Sequence, residues 1–169
     1  MNAPMFQIGG LVCPLLSHLD FTQNYEQLAS RVTLRSASGA GFRQTRWTRL
    51  KTSLQGGGWL PAGLSVLDLS QPLELWCASP RAIASPAASI ALPAHRSDMG
   101  VYGVAVLAGG ETVETVVEVS GAVANLAPVP GAVGYQVSYW PVLTVFAELT
   151  ETGDLAAGNF QWTLNCEEV

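Results

Sequence analysis

Apolar and polar residues alternate along most of this chain, and a period of two is the signature of half-buried strands. The clearest run is FQWTLNCEE, which puts Phe160, Trp162, Leu164 and Cys166 on one face and Gln161, Thr163, Asn165 and Glu167 on the other. The spacing predicts a strand over 160–168 that pairs within the main sheet. RVTLRS sets Val32 and Leu34 against Arg31, Thr33 and Arg35, and LELWC alternates likewise. TVETVVEV sets Val113, Val117 and Val119 against Glu114 and Glu118. YQVSYW aligns Tyr135, Val137 and Tyr139, and Pro141 just after it predicts a sheet edge or a bulge. Turn-forming clusters separate these runs: SASGAG, QGGG, LAGGE, APVPGAVG and ETGD. Residues 42–54 offer the one helical competitor, since Trp47, Leu50 and Leu54 recur at helical spacing. The threonines there and the glycines that follow favour a strand. The expected fold is all-β, sandwich-like or barrel-like.

Composition changes the picture in one region. From Pro80 to about Gly134, Ala, Val, Gly and Pro dominate and aromatics nearly vanish. The expected organisation is a main β domain, residues 1–79 plus 141–169, carrying a small β-rich insertion over 80–140. Within the insertion Val113, Val117, Val119, Tyr135 and Val137 are expected to face one another as a small core.

Of the 169 residues, 49% are hydrophobic and 12% charged, against a typical ~25% charged. So little charge points to apolar surface that partners cover. The most apolar segments are broken by Gly, Pro or Glu well short of the ~20 residues of a membrane span, so no membrane partner is expected. The N-terminus has no Lys or Arg and so lacks the charged region of a signal peptide. Cys13, Cys77 and Cys166 form no Cys-x-x-Cys pair and only two His are present, which argues against a zinc site. They read as small buried hydrophobes in a reducing compartment, which implies cytoplasmic synthesis without export.

Charge is distributed unevenly. Arg31, Arg35, Arg43, Arg46, Arg49 and Lys51 occupy a stretch free of acids, whereas no Lys or Arg occurs from Ser97 to Val169. The triple glycine Gly56–Gly58 lacks the Lys-Ser/Thr of a phosphate loop, and Pro61 spoils a dinucleotide fingerprint, so it reads as a turn admitting positive φ. His95, Ser97 and Asp98 in AHRSDMG lie too close in sequence for a triad, and no Gly-x-Ser-x-Gly elbow exists. No catalytic, cofactor or metal residue is assigned, and the chain is expected not to be an enzyme.

The basic stretch, with Phe42 and Trp47 interleaved, could follow a phosphate backbone. The chain as a whole is acidic, with a net charge of −5, whereas a typical nucleic-acid-binding domain is basic. If SASGAG closes a hairpin, Arg35 falls near Arg43 and Arg31 near Trp47, and like charges facing across strands call for an anion. Carboxylates of a second copy supply one. Contact between subunits is therefore the favoured reading, with Arg31, Arg35, Arg43, Arg46, Trp47, Arg49, Lys51, Trp59, Glu114, Glu118, Glu148 and Glu151 as interface candidates. A monomeric β-sandwich binding module, using Trp59, Trp76 or Tyr139 on sugar or the basic stretch on nucleic acid, is the alternative.

The run QTRWTRLKTSLQGGGWLPAGLSVLDLSQPLELWC and the ending WTLNCEEV resemble small tail proteins of long-tailed bacteriophages, of the distal tail or baseplate type. The matching residues are Trp47, Arg49, Leu50, Lys51, Thr52, Gly58, Trp59, Pro61, Gly63, Leu64, Leu67 and Asp68, and the likeness covers about residues 28–80 and the last ten. The resemblance implies a virion structural protein whose sheets join in a homo-oligomeric ring, expected to be hexameric, around the DNA channel. It would be assembled in the bacterial cytoplasm and contact the tail tube and baseplate or hub proteins. DNA would pass through without specific binding.

Overall fold

The computed structural model of the protein describes residues 5–169; the first four, on which part of the N-terminal targeting expectation falls, lie outside them. Two short strands, β1 (Gln7–Ile8) and β2 (Leu11–Val12), precede a 3-10 turn at Leu15–Ser17. Two long ones follow, β3 (Thr22–Arg35) and β4 (Gly41–Gly58). Then come β5 (Leu73–Trp76), β6 (Arg81–Ser85), β7 (Ser89–Ala91), β8 (Tyr102–Leu107), β9 (Thr112–Thr115), β10 (Val117–Ser120) and β11 (Val123–Leu126). The last three are β12 (Ala132–Tyr139), β13 (Val142–Asp154) and β14 (Asn159–Glu168). The fold is all-β with antiparallel sheets, and the 42–54 segment is strand throughout.

The chain divides into two compact units, one made of the segment ending at Ile8 with Leu75–Leu143, the other of Gly9–Glu74 with Thr144–Val169. In the first unit a four-stranded sheet, β6-β12-β8-β9, faces a three-stranded one, β10-β11-β7. Between them lie Ile90, Leu92, Ala105, Ala124, Leu126, Tyr135, Val137 and Tyr139. Tyr135 and Val137 are thus in the core and Val117 packs against it, but Val113 and Val119 are exposed. By register both keep to the core side, Val113 opposite buried Ala105 of β8 and Val119 opposite buried Ala124 of β11. But TVETVVEV is two strands, broken at the exposed Val116, and each is the edge strand of its sheet, where a side chain is covered less. Pro141 marks neither an edge nor a bulge. It ends β12, which runs between β6 and β8 and has its register shift at Ala132/Gly134.

In the second unit β13, β14, β4 and β3 lie side by side in that order. Leu164 opposes Leu149 on one side and Leu54 on the other, and Cys166 opposes Ala147 and Thr52. The face expected for residues 160–168 is the buried one: Trp162, Leu164 and Cys166 are inside and Phe160 is half-buried. Fully burying side chains of this size contributes about 1.5–3 kcal/mol each.

The triple glycine is strand rather than turn. Gly56, Gly57 and Gly58 close β4, and none of them has positive φ. Glycine is needed there for close approach. A Cβ on Gly56 would overlap the Trp162 indole, and one on Gly58 would overlap the Leu16 carbonyl. The space admits the indole Nε1–H to the Ser17 carbonyl, at 2.7 Å.

Candidate functional site

β14 accompanies β4 only from Gly58 to Lys51. At the next position the Leu50 N–H donates to a Glu168 carboxylate oxygen at 2.8 Å, which closes that side of the ladder. From there Leu28–Arg35 and Gly41–Arg49 run on as a two-stranded ribbon, paired to each other alone. Its tip is a turn in which Ser36 N–H donates to Ala40 O at 2.9 Å and Gly39 takes a φ of 83°. That φ is why the tip needs glycine.

Register sets the faces of this arm. Leu34 opposes Phe42 and Val32 opposes Gln44; Thr33 opposes Arg43 and Arg31 opposes Thr45. The pairing then slips by one residue, Ser30 opposing Trp47, so that Arg46 is the extra residue of a β-bulge. The bulge transfers Trp47 to the face of Leu28, Val32, Leu34 and Phe42. On the opposite face, continuous with buried Leu50 and Thr52, stand Arg31, Thr33, Arg35 and Arg43. Arg35 is therefore a diagonal neighbour of Arg43, whereas Arg31 does not meet Trp47 as the simple hairpin register required.

Neither face is covered. Val32, Leu34, Phe42 and Trp47 are 47–56% exposed. Arg31 donates to the Gln27 side chain at 2.8 Å, Arg35 to Gly39 O at 3.1 Å and Arg43 to the Thr33 hydroxyl at 3.4 Å. These partners are neutral. Among the described residues the carboxylate contact nearest the arm is at its base, where Lys51 pairs with Glu167 at 3.2 Å; Arg49 beside it donates to the Val169 backbone oxygen at 2.6 Å.

Trp59 lies at the other end of β4 and is 69% exposed. Its N–H and that of Leu60 both donate to Leu16 O, and Leu19 N–H donates to Gly57 O at 2.8 Å. Exposed Leu15, Leu16, Leu19, Trp59 and Leu60 are thereby gathered into one apolar patch. At the same end is a shallow cavity of about 220 Å³ lined by Pro61, Ala62, Glu151, Gly153, Phe160 and Trp162. Glu151 opposes Trp162 and Glu148 opposes Asn165, which places these two carboxylates on opposite faces of β13. Glu114 and Glu118 are exposed on β9 and β10 of the first unit, in different sheets. Arg31, Arg35 and Arg43 thus share one face of the arm, whereas Arg49, opposite Leu28, and Lys51, opposite Glu26, lie on the other, and the four acids form no single surface.

Two features escaped the sequence reading. Arg96 is 3% exposed and is the hub of a polar cluster in the first unit. It donates to both oxygens of Asp98 at 2.9 and 2.7 Å, to Met5 O at 2.7 Å and to Cys77 O at 3.0 Å, and its guanidinium lies 5.5 Å from the Trp76 ring centroid. The Arg96 hydrogen bonds hold the Asp98 carboxyl below the usual carboxylate range. The available signal was an isolated Arg two residues before an Asp, in a segment otherwise read for His95 and Ser97. Arg96 also bears on the sugar platform, since it covers one ring face of Trp76, while Tyr139 is buried and closed to stacking. The second feature is the patch beside Trp59, because nothing local in Leu15–Leu19 announces that it meets the end of β4.

The three cysteines are buried and form no disulfide. Burial pushes the Cys13 thiol up to about 11, and its Sγ–H donates to Ala62 O. No protein-family model matches the chain, and no curated protein matches it significantly.

Proposed function

We propose that this chain is a structural protein of a long-tailed phage virion that forms a ring around the DNA channel. In that reading it is a distal tail protein or a baseplate or tube adaptor, joining the tail tube to tip proteins. It contacts further copies of itself and the neighbouring tail proteins.

The observation that carries the proposal is the two-faced arm. A two-stranded ribbon is marginal by itself in water. This one also holds four large apolar side chains half in water, and on its other face arginines whose hydrogen bonds go to neutral groups. Such an arm gains little from a monomer and much from a partner that covers both faces. The likeness of residues 28–80 to tail proteins supports the same reading, since it spans the arm and Trp59. Apolar contact supplies most of the affinity in this account, and the charges set register and orientation.

Native mass measurement across micromolar concentrations tests it, with a salt series alongside. The expected result is one closed oligomer that loosens modestly at high salt, because screening reaches only the exposed charges. A monomer at every concentration, or tight salt-sensitive binding of an oligonucleotide instead of self-association, would overturn the proposal.

A further inference from the structure

The second unit carries two uncovered apolar surfaces at opposite ends of one strand. Val32, Leu34, Phe42 and Trp47 lie on the arm, and Leu15, Leu16, Leu19, Trp59 and Leu60 surround the far end of β4. Phe42 and Trp59 are separated by nearly the whole of an extended strand, about 55 Å at ~3.3 Å per residue. An arm cannot fold back across that length onto its own unit. The charges divide in the same way. The arm bears Arg31, Arg35, Arg43 and Arg46 and no acid, while exposed Asp20, Glu151 and Asp154 stand at the Trp59 end. Asp20 N–H donates to Gly57 O, and Asp154 opposes Asn159 in the β13–β14 hairpin next to Gly58.

We infer that the arm of one copy docks on the Trp59 end of the next, as a heterologous head-to-tail contact. The apolar face meets the leucine and tryptophan patch, and the arginines meet Asp20, Glu151 and Asp154. Of the acids expected opposite the basic stretch, this contact retains Glu151 and does not use Glu114, Glu118 or Glu148. A heterologous contact leaves one arm and one socket free at the ends of every open chain, so association continues until a ring closes or a filament grows. The inference rests on the ring reading only in requiring that copies of this chain meet each other.

The test uses the full chain in two variants whose altered side chains are already exposed. The arm variant is Phe42→Ser with Trp47→Ser, and the socket variant is Leu15→Ser with Trp59→Ser. Circular dichroism and melting verify that each is folded. By sedimentation velocity, each variant alone should be monomeric at the lowest concentrations where the wild type assembles, a loss of roughly thirtyfold in association. An equimolar mixture should give a 1:1 heterodimer and nothing larger, because each pair retains one intact arm and one intact socket. A mixture that stays monomeric, or either variant assembling like wild type, would overturn the contact. So would a wild type that associates only when another tail protein or DNA is added. If a serine variant does not fold, Arg43→Glu replaces the arm variant and Asp154→Arg the socket variant. Each should then weaken assembly alone, and the doubly swapped chain should recover it. Electron micrographs separate the two ideas: open filaments would leave this contact standing and remove the ring, whereas monomers would remove the contact.

Discussion

Shortening the arm is the most informative perturbation of the monomer. Residues 30–47 are removed and Ala29 is joined to Thr48 through an Asn-Gly turn, the favoured two-residue hairpin link. Two consequences follow with opposite magnitudes. The side chains lost include Val32, Leu34, Phe42 and Trp47, each about half exposed and paired only within the ribbon. Their loss should change the unfolding free energy of the second unit by no more than about 1 kcal/mol, because a two-stranded ribbon contributes little. Association is different. Covering the exposed half of each of the four is worth about 1 kcal/mol, half of the ~1.5–3 kcal/mol for full burial. About 4 kcal/mol in sum corresponds to roughly a thousandfold in the association constant. It is an upper figure, since binding also orders side chains. Urea unfolding followed by the fluorescence of buried Trp162 reads the first quantity, and sedimentation of the folded protein reads the second. A shortened chain that unfolds several kcal/mol more easily would show the arm to be part of the fold. One that assembles like wild type would refute its role as an interface.

Other expectations follow from single contacts. Gly56→Ala should destabilise by about 1–3 kcal/mol in urea, as overpacking against the Trp162 indole; an unchanged midpoint would contradict the packing described. Arg96→Ala leaves two carbonyl acceptors, Met5 O and Cys77 O, without this donor, and should cost about 2–6 kcal/mol at roughly 1–3 kcal/mol per buried group. The Asp98 carboxyl is held low in the folded state, so its stabilising contribution is present above the unfolded value of about 3.9 and is lost as pH falls through the folded one. Arg96→Ala should therefore flatten the acid limb of the stability profile, and an identical limb would refute the pairing. Cys13 is raised to about 11 from 9.0, so the folded state holds its proton where the unfolded thiol has lost it, and stability should fall as pH rises from 9 to 11. At pH 8 the native protein should resist thiol reagents at all three buried cysteines and react fully in denaturant; rapid native labelling would contradict their burial.

Local alternation made some of this legible. It put Trp162, Leu164 and Cys166 on one face, and Val32 and Leu34 opposite Arg31, Thr33 and Arg35, as the ladders have them. What it could not supply was which sheet a residue joins or what lies across from it. TVETVVEV keeps a period of two while the chain passes from one sheet to another at Val116, so Val113 and Val119 fall on two separate edge strands and stay exposed. The bulge at Arg46 is one extra residue, and it decides that Trp47 shares a face with Phe42 rather than with Arg31. The three glycines spelled a turn by composition, yet they pair with Phe160, Gln161 and Trp162 of β14, while the Trp162 indole and the Leu16 carbonyl, both distant in sequence, leave no room for a side chain at Gly56 and Gly58. The basic stretch was visible as charge. Its form, a ribbon with two open faces, depended on where β14 stops beside β4.

The central claim is that the arm joins copies of this chain into a ring. Electron cryomicroscopy of the purified full-length protein, at concentrations where it associates, tests that most directly. The account predicts closed rings with an open centre wide enough for a DNA duplex, and density for Phe42 and Trp47 of each copy against Trp59 of its neighbour. Monomers throughout, or rings in which every arm stands free in solvent, would contradict it.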